Sequence, residues 1–172
     1  MENIPITPKT TIYTLLEAYP QLEKVLIAAS PQFKKLKNPL LRRTIAKIAT
    51  LSQAAVIGGL KTEELVNKLR AEVGQGTGDS SETEEKTYNS AKPSWFDESL
   101  VVDSVDIRVM LDAGEQPIQK VLSSIKKLNN NEILKINAPF IPAPLIDKSA
   151  SFGHKHWIDK KSDQEYRVYF FK

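Results

Sequence analysis

Residues 74–94 read GQGTGDSSETEEKTYNSAKPS, and this stretch decides how the chain is divided. It is built from Gly, Ser, Thr and acidic side chains with almost nothing apolar, so burial cannot offset the entropy of ordering it. The shift in composition spans residues 71–96, which are expected to behave as a flexible acidic tether. On either side lie residues 1–70 and 97–172, each the size of a small domain. Units that small bury only roughly 60% of their unfolded surface, so each must rely on well-patterned elements. Charge divides unevenly around the tether. Residues 1–70 carry 11 basic and 5 acidic side chains, a net of +6, whereas residues 97–172 carry 11 of each. The modest positive total therefore conceals a basic first domain.

Outward toward the N-terminus the periodicity is helical. Ile12, Leu15, Leu16 and Tyr19 fall at i, i+3, i+4, i+7, and Pro20 stops that helix. Leu22, Val25, Leu26 and Ala29 repeat the pattern until Pro31. Asn38 before Pro39 reads as an N-cap followed by proline at the first helical position. Leu41, Ile45 and Ile48 form the next stripe. Thr50 and Gln53 make a capping box ahead of Ala54 and Ala55, and Gly58-Gly59 ends that helix. Leu65, Val66 and Leu69 carry a last helix. Helices this short are unstable alone, so residues 1–70 are expected to pack as a small all-α bundle.

Outward in the other direction the periods mix. Residues 100–105 read as a strand. Gln116 and Pro117 open a helix with the stripe Ile118, Val121, Leu122, Ile125 and Leu128. Asn129-Asn130-Asn131 is a turn, residues 132–136 a short buried strand, and residues 143–151 a second helix capped by Gly153. Residues 156–159 and 166–171 are expected to pair as a hairpin across KKSDQ. The order β-α-β-α-β-β, with two helices on one sheet, predicts a two-layer α/β sandwich, and the whole chain is α+β.

Several function classes are excluded or left without support. The chain has no cysteine. That removes disulfides, thiolate metal ligands, iron–sulfur clusters and persulfides together. No nucleophile elbow, phosphate loop or paired-carboxylate motif appears, no catalytic residue is assigned, and no cofactor is expected. MENIPITPKT at the start lacks a basic segment followed by an apolar run, and no apolar stretch approaches the ~20 residues of a membrane span. The expectation is a cytoplasmic protein that does not engage a membrane.

Three groups of side chains are candidates for binding. Lys34, Lys35, Lys37, Arg42, Arg43 and Lys47 form a basic patch, read either as a surface for a phosphate backbone or acidic partner or as a solvated face covering a small core. Asp106, Arg108, Glu115 and Gln116 surround the N-terminus of the helix opened by Pro117. They read as a small-anion site or as a surface ion pair. His154 and His156, two residues apart, could supply two ligands to a metal that needs three or four.

Two resemblances add to this. Residues 5–70, through LLEAYPQLEKVL, FKKLKNPLLRRTIAKIATLSQAA and GGLKTEELVNKLR, resemble an uncharacterised bacterial helical domain. That domain is related to the N-terminal domain of the ScdA-type iron–sulfur repair proteins and to the hybrid-cluster-protein-associated redox domains. Residues 93–172, through PSWFDES, VDIRVMLDAGEQPIQKVLSSIKKLNNNEILKINAPFIPAPLI and YRVYFFK, resemble a relative of the TusA/SirA-like sulfur-carrier fold. Those families place cysteines where this chain has Ala28, Ala29 and Ser30, and again where it has Gly114, Glu115, Gln116 and Pro117. The resemblances therefore imply two scaffolds without their reactive sulfur. The reading that follows is a non-catalytic binding or adaptor protein linked to redox, sulfur or iron–sulfur stress. A protein partner and a small anion are its expected partners. Nucleic-acid association through the basic domain and metal-dependent redox chemistry at the histidine pair are the alternatives.

Overall fold

A computed structural model describes residues 3–78 and 88–172. The chain divides into two units, Met1–Thr87 and Tyr88–Lys172. The most acidic part of the expected tether, residues 79–87, lies outside the described residues. The parts flanking it are folded onto their own units.

The first unit is helical throughout. Its helices are α1 (Ile12–Ala18), α2 (Leu22–Ala29), α3 (Pro39–Arg43), α4 (Leu51–Ile57) and α5 (Thr62–Glu72), with 3₁₀ turns at Pro31–Lys37 and Ile45–Lys47. Side chains satisfy the first amides of these short helices. Thr11 caps α1, Ser30 caps the first 3₁₀ turn, and Asn38 accepts from the Leu40 N–H at 3.0 Å. Thr50 and Gln53 form the full reciprocal capping box at α4. Ile6, Leu15, Leu22, Leu26, Leu51, Val66 and Leu69 are all fully buried in one core. The stripe expected from Leu41, Ile45 and Ile48 does not form. The Thr44 hydroxyl donates to the Leu40 carbonyl at 2.8 Å where α3 ends, and the chain turns into a 3₁₀ geometry. That turn buries Thr44 and Ala46 and leaves Ile48 exposed.

At Gly58 the packing is close, because an added Cβ would lie 3.0 Å from Phe33 Cζ and 3.2 Å from Ser30 Cβ. Gly59, with φ of 70°, takes the left-handed turn out of α4 that favours glycine. The unit is closed by two polar side chains, Arg70 in the last turn of α5 and Gln75 just after it. The Gln75 side chain donates to the Ile4 carbonyl at 2.7 Å and accepts the Ile6 N–H at 3.0 Å. Arg70 Nε donates to the Ile6 carbonyl at 2.7 Å.

The second unit is a mixed sheet with helices. The strands are β1 (Val101–Asp106), β2 (Ile133–Ala138), β3 (Lys155–Ser162) and β4 (Glu165–Phe171). They lie in the order β1-β2-β4-β3, with β1 and β2 parallel and the other pairs antiparallel. The helices are α6 (Ile107–Asp112), α7 (Pro117–Lys127) and α8 (Ala143–Ser151). The mixed α/β architecture agrees with the α+β class. Residue alternation sorts the sheet's side chains into two faces. Leu134, Ile136 and Ala138 on β2 share one face with Val168 and Phe170 on β4, and all five are fully buried. The buried Ile107, Leu111, Val121, Ile125, Leu145 and Ile146 of the three helices complete that core.

Two expectations are corrected here. A third helix, α6, follows β1 directly, because Asp106 accepts the Arg108 N–H at 3.0 Å and caps a turn begun by the buried Ile107. The hairpin turn is also tighter than KKSDQ. Lys160 pairs with Tyr166 and Ser162 with Glu165, so β3 continues through Lys160, Lys161 and Ser162.

The other face of the sheet is covered by the chain itself. Residues 88–96, a strap, begin along the outer edge of β3, where the Asn89 carbonyl accepts the Ile158 N–H at 2.8 Å and the Ser90 carbonyl accepts the Trp157 indole N–H at 3.2 Å. Trp95 then stacks on Phe171 at 4.9 Å between ring centres. Phe96 meets Trp157 and Tyr169 edge-on, each at 4.7 Å, while Trp157 and Tyr169 stack on one another at 5.1 Å. Offset and edge-on contacts of this kind add about 0.5–1.5 kcal/mol each beyond area burial. Ile133 is fully buried beneath them. From there the chain enters β1 at the opposite edge of the sheet.

Candidate functional site

The expected groups occupy different parts of the molecule. In the second unit, Asp106 and Arg108 come together and Glu115 and Gln116 stay apart from them. Arg108 Nε and Nη2 contact Asp106 Oδ1 and Oδ2 at 2.9 and 2.7 Å, a two-pronged pair. Its Nη1 lies 3.9 Å from Glu165, whose carboxylate also reaches Arg167 at 3.6 Å. The hydrogen bond from Arg108 holds the Asp106 carboxyl below its usual range, and the same bond raises the guanidinium. Glu115 and Gln116 are exposed ahead of α7, where Gln116 is the N-cap residue but makes no side-chain capping bond. Arg108 therefore belongs to the start of α6 rather than to that of α7.

The register explains what lies next to this pair. Asp106, Asn137, Arg167 and Asp159 stand opposite one another across all four strands, on the face away from the helices. Asp159 pairs with Lys161 at 2.7 Å. With Arg108, Glu165 and Lys161 beside it, the row gathers three cations and three carboxylates. Within it, Asn137 Oδ1 and Arg167 Nε are buried and make no hydrogen bond.

The histidines sit in different surroundings. His154 is buried just before β3 with both ring nitrogens unpaired, and burial pushes its pKa down against the opposing effect of the Ser149 and Ile125 carbonyls. His156 is half-buried, and its Nε2 accepts the Asn89 N–H at 3.0 Å. Tyr88 lies edge-on to its ring at 6.2 Å, and the Tyr88 hydroxyl reaches Asp147 Oδ2 of α8 at 3.5 Å. Burial lowers the His156 pKa while Asp147 opposes the shift. Burial also pushes the Tyr88 hydroxyl well up, and Asp147 adds to that. Among the described residues no three His, Asp or Glu side chains gather in a way that could hold a metal ion.

The basic group of the first unit lies on two consecutive short elements and the turn that follows. Lys34, Lys35 and Lys37 are on the first 3₁₀ turn, Arg42 and Arg43 on α3, and Lys47 on the second 3₁₀ turn. Arg42 is drawn back to Glu23 at 2.8 Å, and Lys47 sits 5.4 Å from the centre of the Tyr13 ring. Lys34, Lys37 and Arg43 are exposed and have no ion pair among the described residues. Beside them runs a shallow groove lined by Pro20, Gln21, Glu23, Lys24, Ile27, Ala28 and Lys37. Sequence reasoning found the cations but not the groove, whose walls come from α2 and from a turn that bends back against it.

The first unit thus has the form of a small helical domain with a basic face, and the comparisons bear on that part. Residues 6–66 match the family described as a domain of unknown function, DUF1858. No curated protein matches the chain, and no solved structure does. No helix among the described residues is long and apolar enough to cross a membrane.

Proposed function

We propose that this chain is a non-catalytic binding protein whose helical unit holds the acidic surface of a protein partner. The carrying observation is the contrast in pairing. Lys34, Lys37 and Arg43 are exposed together without a counter-ion among the described residues, whereas the cations around Asp106 and Asp159 are matched by carboxylates. An acidic surface would supply the missing charge and fix the orientation of docking. The adjoining groove offers the apolar stems of Ile27 and Ala28 between Lys24 and Lys37. Support for a setting in redox, sulfur or iron–sulfur stress comes from the two resemblances. Ser30 fits such a loss of chemistry, since it is buried and caps a 3₁₀ turn at the end of the Ala28, Ala29, Ser30 stretch, where the resembled families place cysteines.

The test is purification of the full chain, and of a Lys34→Glu, Lys37→Glu, Arg43→Glu variant, from cell extract at low salt. The wild type is expected to retain a protein partner in stoichiometric amount. The variant loses it, as does the wild type at about 0.5 M salt, where charges are screened beyond ~4 Å. Recovery of no stoichiometric protein, or equal retention by the variant, sinks the proposal. Nucleic acid recovered in place of protein reassigns the same face to a phosphate backbone.

A further inference from the structure

The strap and the sheet meet at a side chain able to change its charge. His156 accepts the Asn89 backbone N–H through Nε2, which requires a neutral imidazole carrying its proton on Nδ1. The bond lies at the start of the strap. Asn89 also pairs through its carbonyl with the Ile158 N–H, and Asn89 Nδ2 lies 3.5 Å from the His156 carbonyl. Downstream, the strap holds Trp95 and Phe96 over Trp157, Tyr169 and Phe171. We propose that the Asn89–His156 bond is an acid-sensitive latch, and that protonating His156 frees the strap from the aromatic face of the sheet.

The mechanism is a reversal of hydrogen-bond roles. A protonated ring carries N–H at both nitrogens, so Nε2–H would face the Asn89 N–H, donor against donor. Two N–H groups cannot share the bond, so it is lost, and the strap's first anchor, exposed at Asn89, is the part able to move. The surroundings set when this happens. Asp147 of α8 is the carboxylate acting on the ring, Tyr88 of the strap is the titratable group against its edge, and the cross-strand neighbour on β4 is the apolar Phe170. Burial disfavours the cation, and the Asp147 carboxylate, which also accepts from the Tyr88 hydroxyl, opposes that effect. Protonation therefore exchanges a bond to the strap for an attraction to α8.

The chain carries its own reporters, because its two tryptophans are Trp95 on the strap and Trp157 beneath Phe96. Full-length protein titrated from pH 8 to 5 is expected to show a reversible red shift of tryptophan emission and increased acrylamide quenching, with far-UV circular dichroism unchanged. His156→Gln abolishes the transition, since its side-chain carbonyl accepts the Asn89 N–H without titrating. Asp147→Asn keeps the transition and moves its midpoint downward by roughly 1 pH unit, the usual effect of removing a nearby opposite charge. Four results would overturn the latch: no emission change over this range, loss of circular dichroism at the same midpoint, an unchanged transition in His156→Gln, or an unmoved midpoint in Asp147→Asn. The Asp147 variant keeps the test decisive if His156→Gln fails to fold.

Discussion

The two units are closed by the same manoeuvre carried out with different chemistry. In the first, Gln75 and Arg70 reach across to the backbone of Ile4 and Ile6 and tie the two ends of the unit with hydrogen bonds. Tyr19 joins them, its hydroxyl bonding to Asn3 and accepting from Gln75. In the second, residues 88–96 lie across the sheet and close it mainly with aromatic surface. A helical bundle already hides its apolar stripes, so its closure need only satisfy backbone groups. A sheet with helices on one side presents a second face, and where that face carries Ile133, Trp157 and Tyr169 it is apolar surface that covers it. The two neighbouring stretches therefore differ in composition: QGTG follows α5, and SWF precedes β1.

This contrast can be broken most forcefully at Trp157. Trp157→Ala is expected to destabilise the second unit by about 3–5 kcal/mol, the usual cost of deleting a large buried aromatic side chain. Urea unfolding followed by circular dichroism reads this, and the contrast fails if the first unit's transition moves equally. Gln75→Ala leaves the Ile6 N–H without its acceptor and removes one of the two donors to the Ile4 carbonyl, and should cost the first unit about 1–3 kcal/mol, with the second unaffected. Thr50→Ala, which removes one half of a capping box, should cost that unit about 1 kcal/mol in the same experiment.

A change in pH should act on one unit alone, because both histidines lie in the second. Burial lowers the pKa of each below its ordinary value of 6.5, so the unfolded chain binds protons more readily than the folded one. Their contribution to stability is complete above pH 6.5 and falls as acidity increases toward the lowered values. Thermal melting between pH 5 and 8 checks this, and a second unit that melts higher at pH 5.5 than at pH 7.5 would contradict the sign. The smallest effect belongs to Arg108→Ala, within about 0–1 kcal/mol, because a partly exposed ion pair contributes little. Greater loss would mean that the charge row across the strands is a structural unit.

What could be read in advance was local. The Thr50–Gln53 box, the Asn38 cap and Pro117 at the start of α7 depend on residues a few positions apart, and each is found where its pattern placed it. α8 runs over the predicted 143–151. α6 was missed although Asp106 followed by Ile107 and Leu111 carries a cap and an i, i+4 pair, because six residues are too few for a periodic signal. Within the anion group, the structure pairs Asp106 with Arg108. Glu115 and Gln116 stand apart from them, because Arg108 is in the first turn of α6 and the rest of that helix and the turn after it intervene. Glu165 and Arg167 joined the row only through strand register. Polar composition likewise concealed the start of the strap, since Asn89 meets its partner His156 more than sixty residues later.

The strand order has a consequence for the moment of synthesis. β3 leaves the ribosome before β4, yet in the finished sheet β3 touches β2 only through β4. Until the segment ending at Phe171 has emerged, β3 has no strand to pair with and Trp95 lacks the ring on which it stacks. The nascent second unit then consists of one parallel strand pair with a bare apolar face, an intermediate prone to wrong association. Its assembly must therefore be nearly all-or-none and late, while the helical unit ahead of it has all its partners once Gln75 has emerged.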